Sequence, residues 1–214
     1  MHTISEMMAI WKEGRLGTQG RARMGADGLP KGAQPFDEAT SELFARRCDE
    51  LGIPEHALSV FGAFPTYALP LTLPAGRRLL HALAAAERPL ADVITAAALY
   101  TAYDLPPVQE DLPSCALLLS ACLRHIKNTP AEDGGKGRKQ AETLLNSLVG
   151  ALQARLSTTP PMPASRDVQE KTVRRWLKGV MLELDAFLKA RGNEGGRRER
   201  WLERWMVKSR FVAN

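Results

Sequence analysis

The chain has 214 residues, a net charge of +5, 44% hydrophobic and 25% charged residues. That is enough chain for one or two domains with a sizeable core, and it excludes a collagen-like or wholly disordered chain. Three scattered cysteines, with no Cys-x-x-Cys pair and no Cys/His cluster, exclude a disulfide scaffold and a zinc site, so neither metal nor cofactor is expected.

Ala, Leu, Arg and Glu dominate, and long Val/Ile/Thr alternations are missing, so the expected fold class is all-α. Residues 3–16 read as a short amphipathic helix with Ile4, Met7, Met8 and Trp11 on one side. Residues 17–35 are rich in glycine, and with the helix they make a basic N-terminal arm over 1–36. Arg15, Arg21, Arg23 and Lys31 are its candidate RNA contacts, with an ordinary tail as the alternative.

A helical-repeat region is expected over 37–157. Phe44, Cys48, Pro54 and Leu58 line up with Leu79, Leu83, Pro89 and Val93, each pair 35 residues apart. A period of this size points to stacked helix–turn–helix units, which present surfaces more often than they perform chemistry. The first unit pairs a helix over 38–51, stopped by Gly52, with one opened by Pro54. Phe64–Pro74 reads as a connector. Helices near 75–86 and from Pro89 to Pro106 form the second unit, and helices near 111–127 and 137–156 the third. Cys115 and Cys122, seven apart, read as small core residues.

Residues 158–165, rich in proline, read as a linker before a C-terminal helical extension over 166–214. A long helix is expected over 166–191, followed by a basic helix over 197–208. Val173, Trp176, Val180, Leu184 and Phe187 give the long helix an apolar face, which can dock on the hairpins or on another protein. In the last segment Arg197, Arg198, Arg200, Arg204, Lys208 and Arg210 interleave with Trp201, Trp205 and Phe211. Arginine forks onto phosphate and tryptophan stacks on bases, so this is the main candidate RNA contact. A protein pocket, or packing on the chain's own core, are the alternatives for its tryptophans.

No active site is legible. Gly134, Gly135 and Gly137 around Lys136 lack the phosphate-loop spacing, and His56, His81 and His125 lack an evident acid or nucleophile partner. The longest uncharged runs, Val93–Tyr103 and Leu112–Leu123, are too short to span a bilayer. No small-molecule substrate and no membrane contact are expected.

Several segments resemble a known family. They are Glu42-Leu-Phe-Ala-Arg-Arg-Cys48, Glu55-His-Ala-Leu58, Arg78-Leu-Leu-His-Ala-Leu83, Pro89-Leu-Ala-Asp-Val-Ile94 and Asp111-Leu-Pro-Ser-Cys-Ala-Leu-Leu-Leu119. Together they resemble degenerate pentatricopeptide repeats, and more narrowly the pentatricopeptide-like subunits of the mitochondrial small ribosomal subunit. The resemblance implies a non-enzymatic structural component of a ribonucleoprotein in the mitochondrial matrix, in contact with rRNA and other ribosomal proteins. The hairpins carry apolar and alanine side chains where base-reading repeats carry polar ones, so no base code is carried over. The alternative expectation is a protein–protein adaptor or assembly factor without RNA binding.

Overall fold

The structure is a computed structural model that describes residues 36–129, 136–162, 166–191 and 199–212. Every regular element among the described residues is helical. In chain order they are α1 (Glu38–Glu50), α2 (Pro54–Gly62), α3 (Phe64–Tyr67), α4 (Leu73–Ala85), α5 (Leu90–Ala102), α6 (Leu112–Asn128), α7 (Lys136–Thr158), α8 (Val168–Arg191) and α9 (Glu199–Lys208). The expected N-terminal helix over 3–16 and the glycine-rich segments at 17–35 and 192–196 lie outside the described residues.

Helices α1 and α4 share a local design at a distance of 35 residues. Each has 13 residues. Asp37 caps α1 by accepting the Thr40 N–H at 2.7 Å, and Thr72 caps α4 by accepting the Ala75 N–H at 3.3 Å. At their ends the Ile53 N–H reaches back to the Cys48 carbonyl (2.9 Å), and the Arg88 N–H to the Leu83 carbonyl (3.0 Å). This closure needs a left-handed residue just past the helix, supplied by Gly52 (φ +69°) and by Glu87 (φ +52°). The buried positions repeat as well: Ser41, Phe44, Ala45 and Cys48 correspond to Gly76, Leu79, Leu80 and Leu83.

Two boundaries differ from expectation. The connector over Phe64–Pro74 contains the helical turn α3, and α4 begins at Leu73 because Thr72 caps it and Pro74 sits in a first turn that needs no N–H. Helix α7 runs on to Thr158, into the start of the expected linker. The Ser157 and Thr158 hydroxyls donate to carbonyls three residues back, at 2.6 and 3.0 Å, before Pro160 stops the helix.

Helix α6 lies at the centre. Its residues from Pro113 to Leu123 are all buried. It packs against α4 and α5 on one side and α7 and α8 on the other. Helix α4 in turn carries α1, and α9 sits against both α7 and α8. One continuous hydrophobic core therefore runs from Phe44 to Phe211, and the C-terminal extension is part of it.

A buried polar chain fixes the start of α6. Asp111 accepts the Ser114 N–H at 3.1 Å and its hydroxyl at 2.6 Å, and takes the Arg77 guanidinium on both carboxylate oxygens. The Ser114 hydroxyl also bonds the Tyr100 hydroxyl at 2.7 Å, which ties α4, α5 and α6 together. Arg77 and Ser114 hold the Asp111 carboxyl below the usual range, although burial pushes the other way. The phenol end of Tyr100 lies against Gly76, where a Cβ would meet it at 2.9 Å.

Opposite effects of one substitution follow. Gly76→Ala drives a methyl into a ring held at both ends, so it destabilises by about 1–3 kcal/mol despite alanine's better helix propensity. Gly179→Ala, in α8 with nothing within 4 Å of the new Cβ, stabilises by up to about 1 kcal/mol. Urea unfolding of the two variants checks the contrast, and equal shifts would refute the close Tyr100 contact.

Candidate functional site

Two surfaces stand out, and helix α8 contributes to both. The first is a groove of about 880 Å³ between the exposed edge of α1 and the first turns of α8. Pro74, Arg77 and Arg78 of α4 form its floor, with Leu112 at the start of α6. Ala39, Glu42 and Leu43 line one wall, and Val168, Val173 and Trp176 the other. Gln169 donates to Glu42 at 3.4 Å across the gap. Two large apolar side chains stay open to solvent here, Leu43 at 45% and Val168 at 74% exposure.

The charges in this groove are unevenly neutralised. Arg77 is held by Asp111, Arg78 by Asp49 at 3.1 Å, and Arg46 by Glu50 at 3.8 Å. Glu42, Glu110 and Glu170 have no basic partner among the described residues. The lining carries five arginines, Arg46, Arg77, Arg78, Arg155 and Arg174, and five acids, Glu42, Glu110, Asp111, Asp167 and Glu170, around an apolar strip.

Trp176 closes the seam between α4 and α8. The His81 ring stacks on it at 4.2 Å between centroids and 20° between planes, and the Arg78 guanidinium lies 5.4 Å from its centre. The His81 Nδ1 has no hydrogen-bond partner and lies 3.9 Å from an Asp49 oxygen. Burial lowers the His81 pKa below its ordinary 6.5; Asp49 opposes this, while Arg78 and Arg124 reinforce it.

The second surface is the solvent face of α8 with the end of α9. Lys171, Arg175 and Lys178 recur at four- and three-residue steps, exposed, opposite the buried row Leu177, Val180, Met181 and Leu184. None of the three has an acidic partner among the described residues. Arg174 donates to the Met162 and Ser209 carbonyls and lies 4.6 Å from the centre of the Phe211 ring. That clamp brings exposed Lys208 and Arg210, the neighbours of Ser209, to the N-terminal half of α8. Arg204 is exposed one turn before Lys208.

The residues singled out in the sequence fall into three groups. Arg204, Lys208 and Arg210 reach the surface. Arg15, Arg21, Arg23, Lys31, Arg197 and Arg198 lie outside the described residues, as does the side chain of Arg200. The aromatic residues of α9 turn inward. Trp205 is 4% exposed and meets buried Phe211 edge-to-face at 5.5 Å. Trp201 is half-buried against the core. Base stacking on Trp205 is thereby corrected: the third alternative, packing on the chain's own core, is what the structure shows.

For helix α8 the structure shows one of the two alternatives, docking on the hairpins rather than on another protein. Val180 and Leu184 are buried, and Val173, Trp176 and Phe187 pack against the core. The face read as available for docking faces α6, because α6 has apolar residues all round and needs cover on that side. The basic row Lys171, Arg175 and Lys178 has a helical spacing in the sequence but stands out less there than the denser arginines after Gly196.

Chemically, these surfaces offer binding. Cys48 and Cys115 thiols are pushed up to about 11 and Cys122 to about 12 by burial, so all three stay protonated and unreactive at neutral pH. Among the described residues no group of His, Cys, Asp or Glu could hold a metal ion, and no helix is long and apolar enough to cross a membrane. No family model, no curated protein and no solved structure matches this chain significantly.

The seam at Trp176 should depend on pH. Because the folded chain lowers the His81 pKa, the unfolded chain takes up that proton first as the pH falls. The stability carried by neutral His81 is complete above about 6.5 and is lost below it. Urea unfolding between pH 7.5 and 5.5 should show this decline, and His81→Phe, which keeps a stacked ring without a proton, should flatten it. An identical slope in both proteins would contradict the assignment.

Proposed function

We propose that the protein is a non-catalytic scaffold of stacked helix–turn–helix units that holds RNA by charge. In this reading it is a structural component of a mitochondrial ribonucleoprotein, the small ribosomal subunit first among them, with neighbouring ribosomal proteins as further partners. One observation carries the RNA contact: Lys171, Arg175 and Lys178 on α8 stand beside Lys208 and Arg210, with no acid neutralising them among the described residues. A patch of this kind attracts a phosphate backbone without reading bases.

Stacking is supported by the order of contacts. Helices α1, α4, α6 and α8 pack in succession, while α2 meets α5 and α7 meets α9 on the other layer. The matched caps of α1 and α4, 35 residues apart, agree with a repeated unit. The ribosomal assignment and the mitochondrial matrix location rest on the family resemblance alone. The adaptor alternative relied on the long helix and on Trp201 and Trp205; the apolar face of α8 and Trp205 pack inside the fold, and Trp201 is half-buried.

RNA affinity should fall steeply with salt. Six basic contacts to a single strand give a slope near −4 in log–log terms, or roughly 100-fold or more between 50 and 200 mM salt. Lys171→Glu with Arg175→Glu and Lys178→Glu should make that slope shallower by about 2 and leave the thermal midpoint unchanged. Fluorescence anisotropy with a short single-stranded RNA measures both. Binding that ignores salt, or that survives the triple reversal intact, would sink the proposal.

A further inference from the structure

We infer that the basic surface of α8 and α9 takes a base-paired RNA helix in preference to a single strand, a preference that rests on the RNA contact proposed above. The cations of this surface form a fixed array. At about 1.5 Å and 100° per residue, Lys171, Arg175 and Lys178 cover about 10 Å along one narrow sector of α8. Their helix is anchored from behind by buried Leu177, Val180, Met181 and Leu184. Arg174, bonded to the Met162 and Ser209 carbonyls, keeps Lys208 and Arg210 at the N-terminal half of the same helix. A duplex also holds its phosphates at set spacings, so the two arrays meet without either having to be ordered. A single strand must give up its freedom to lie along α8, and other contacts have to offset that loss.

Among the described residues, the groups that make such contacts in single-strand sites are occupied inside the fold. Aromatic rings on which bases stack raise affinity about fivefold or more per base. Trp205 and Phe211 are 4% and 3% exposed and meet each other edge-to-face. Trp176 carries the His81 ring at 4.2 Å, Phe187 lies under the Arg191 guanidinium at 5.7 Å, and Trp201 is half-buried against the core. Polar side chains that read a splayed base are committed as well. Thr172, next to Lys171, donates its hydroxyl to the Val168 carbonyl at 2.9 Å, and Gln169 donates to Glu42 at 3.4 Å. In line with the cations, about one turn beyond Lys178, stands Leu182, 40% exposed. Charge is then what selects, and a duplex carries the denser charge and needs no base exposed.

Fluorescence anisotropy of the full chain with a labelled RNA duplex of about 16 base pairs, and with each of its strands alone, tests the preference. The duplex should bind about tenfold tighter, with a salt slope nearer −5 than −4 for about six contacts. Lys171→Glu with Arg175→Glu and Lys178→Glu should erase the difference between the two forms. Leu182→Trp, which sets an exposed ring in line with the cations, should tighten the single strand about fivefold or more and leave duplex binding unchanged. All four positions are exposed, so the fold should survive, as circular dichroism would verify. A single strand bound as tightly as the duplex would overturn the inference and leave the RNA contact standing. A duplex preference that survives the triple reversal would overturn it too, since the preference would then lie elsewhere in the chain. Absence of binding by either form at low salt would overturn both the inference and the RNA contact on which it rests.

Discussion

Helix α6 has no solvent face along most of its length, and the arrangement of the other helices follows from that. A helix apolar all round must be enclosed, and each of its buried leucines contributes about 2 kcal/mol only while neighbours exclude water. Helices α4 and α5 cover one side and α7 and α8 the other. The two serines that α6 brings into this core are paired: Ser114 with Asp111 and Tyr100, and Ser120 with Glu183 at 2.7 Å. Arg77, Asp111 and Tyr100 thus set the level at which α6 begins, and α6 sets where everything after it can pack.

That demand for cover decides what remains on the surface. Helix α8 gives its apolar face to α6, and α9 closes the gap between α7 and α8 with Leu202, Trp205 and Met206. Among the described side chains left outward on these two helices, cations outnumber acids. A segment that resembles a binding element in the sequence therefore divides into a structural face and a charged face. The groove is the converse case, since α1 and the first turns of α8 lie on either side of α4 without closing on each other.

Much of the fold was legible in the sequence where one signal sufficed. The 35-residue echo between Phe44 and Leu79, and between Cys48 and Leu83, corresponds to matched buried positions on helices of equal length. Caps were less legible. Gly52 marked its own turn, but Glu87, Asp104 and Arg210 adopt the same left-handed geometry without glycine, because the backbone bonds of the closure impose it. The direction of the α9 tryptophans was not legible at all. Two tryptophans four apart define a face, and only the position of α7 and α8 decides whether that face meets RNA or core. The groove was equally hidden, being made of residues more than 120 apart in the chain, such as Glu42 and Gln169.

We propose that this chain works as a fixed part of an RNA-containing particle. Sedimentation of a mitochondrial lysate containing the tagged protein, with and without RNase, tests it most directly. The account predicts migration with the small ribosomal subunit that collapses when the RNA is digested. Migration as a small protein complex indifferent to RNase would contradict it.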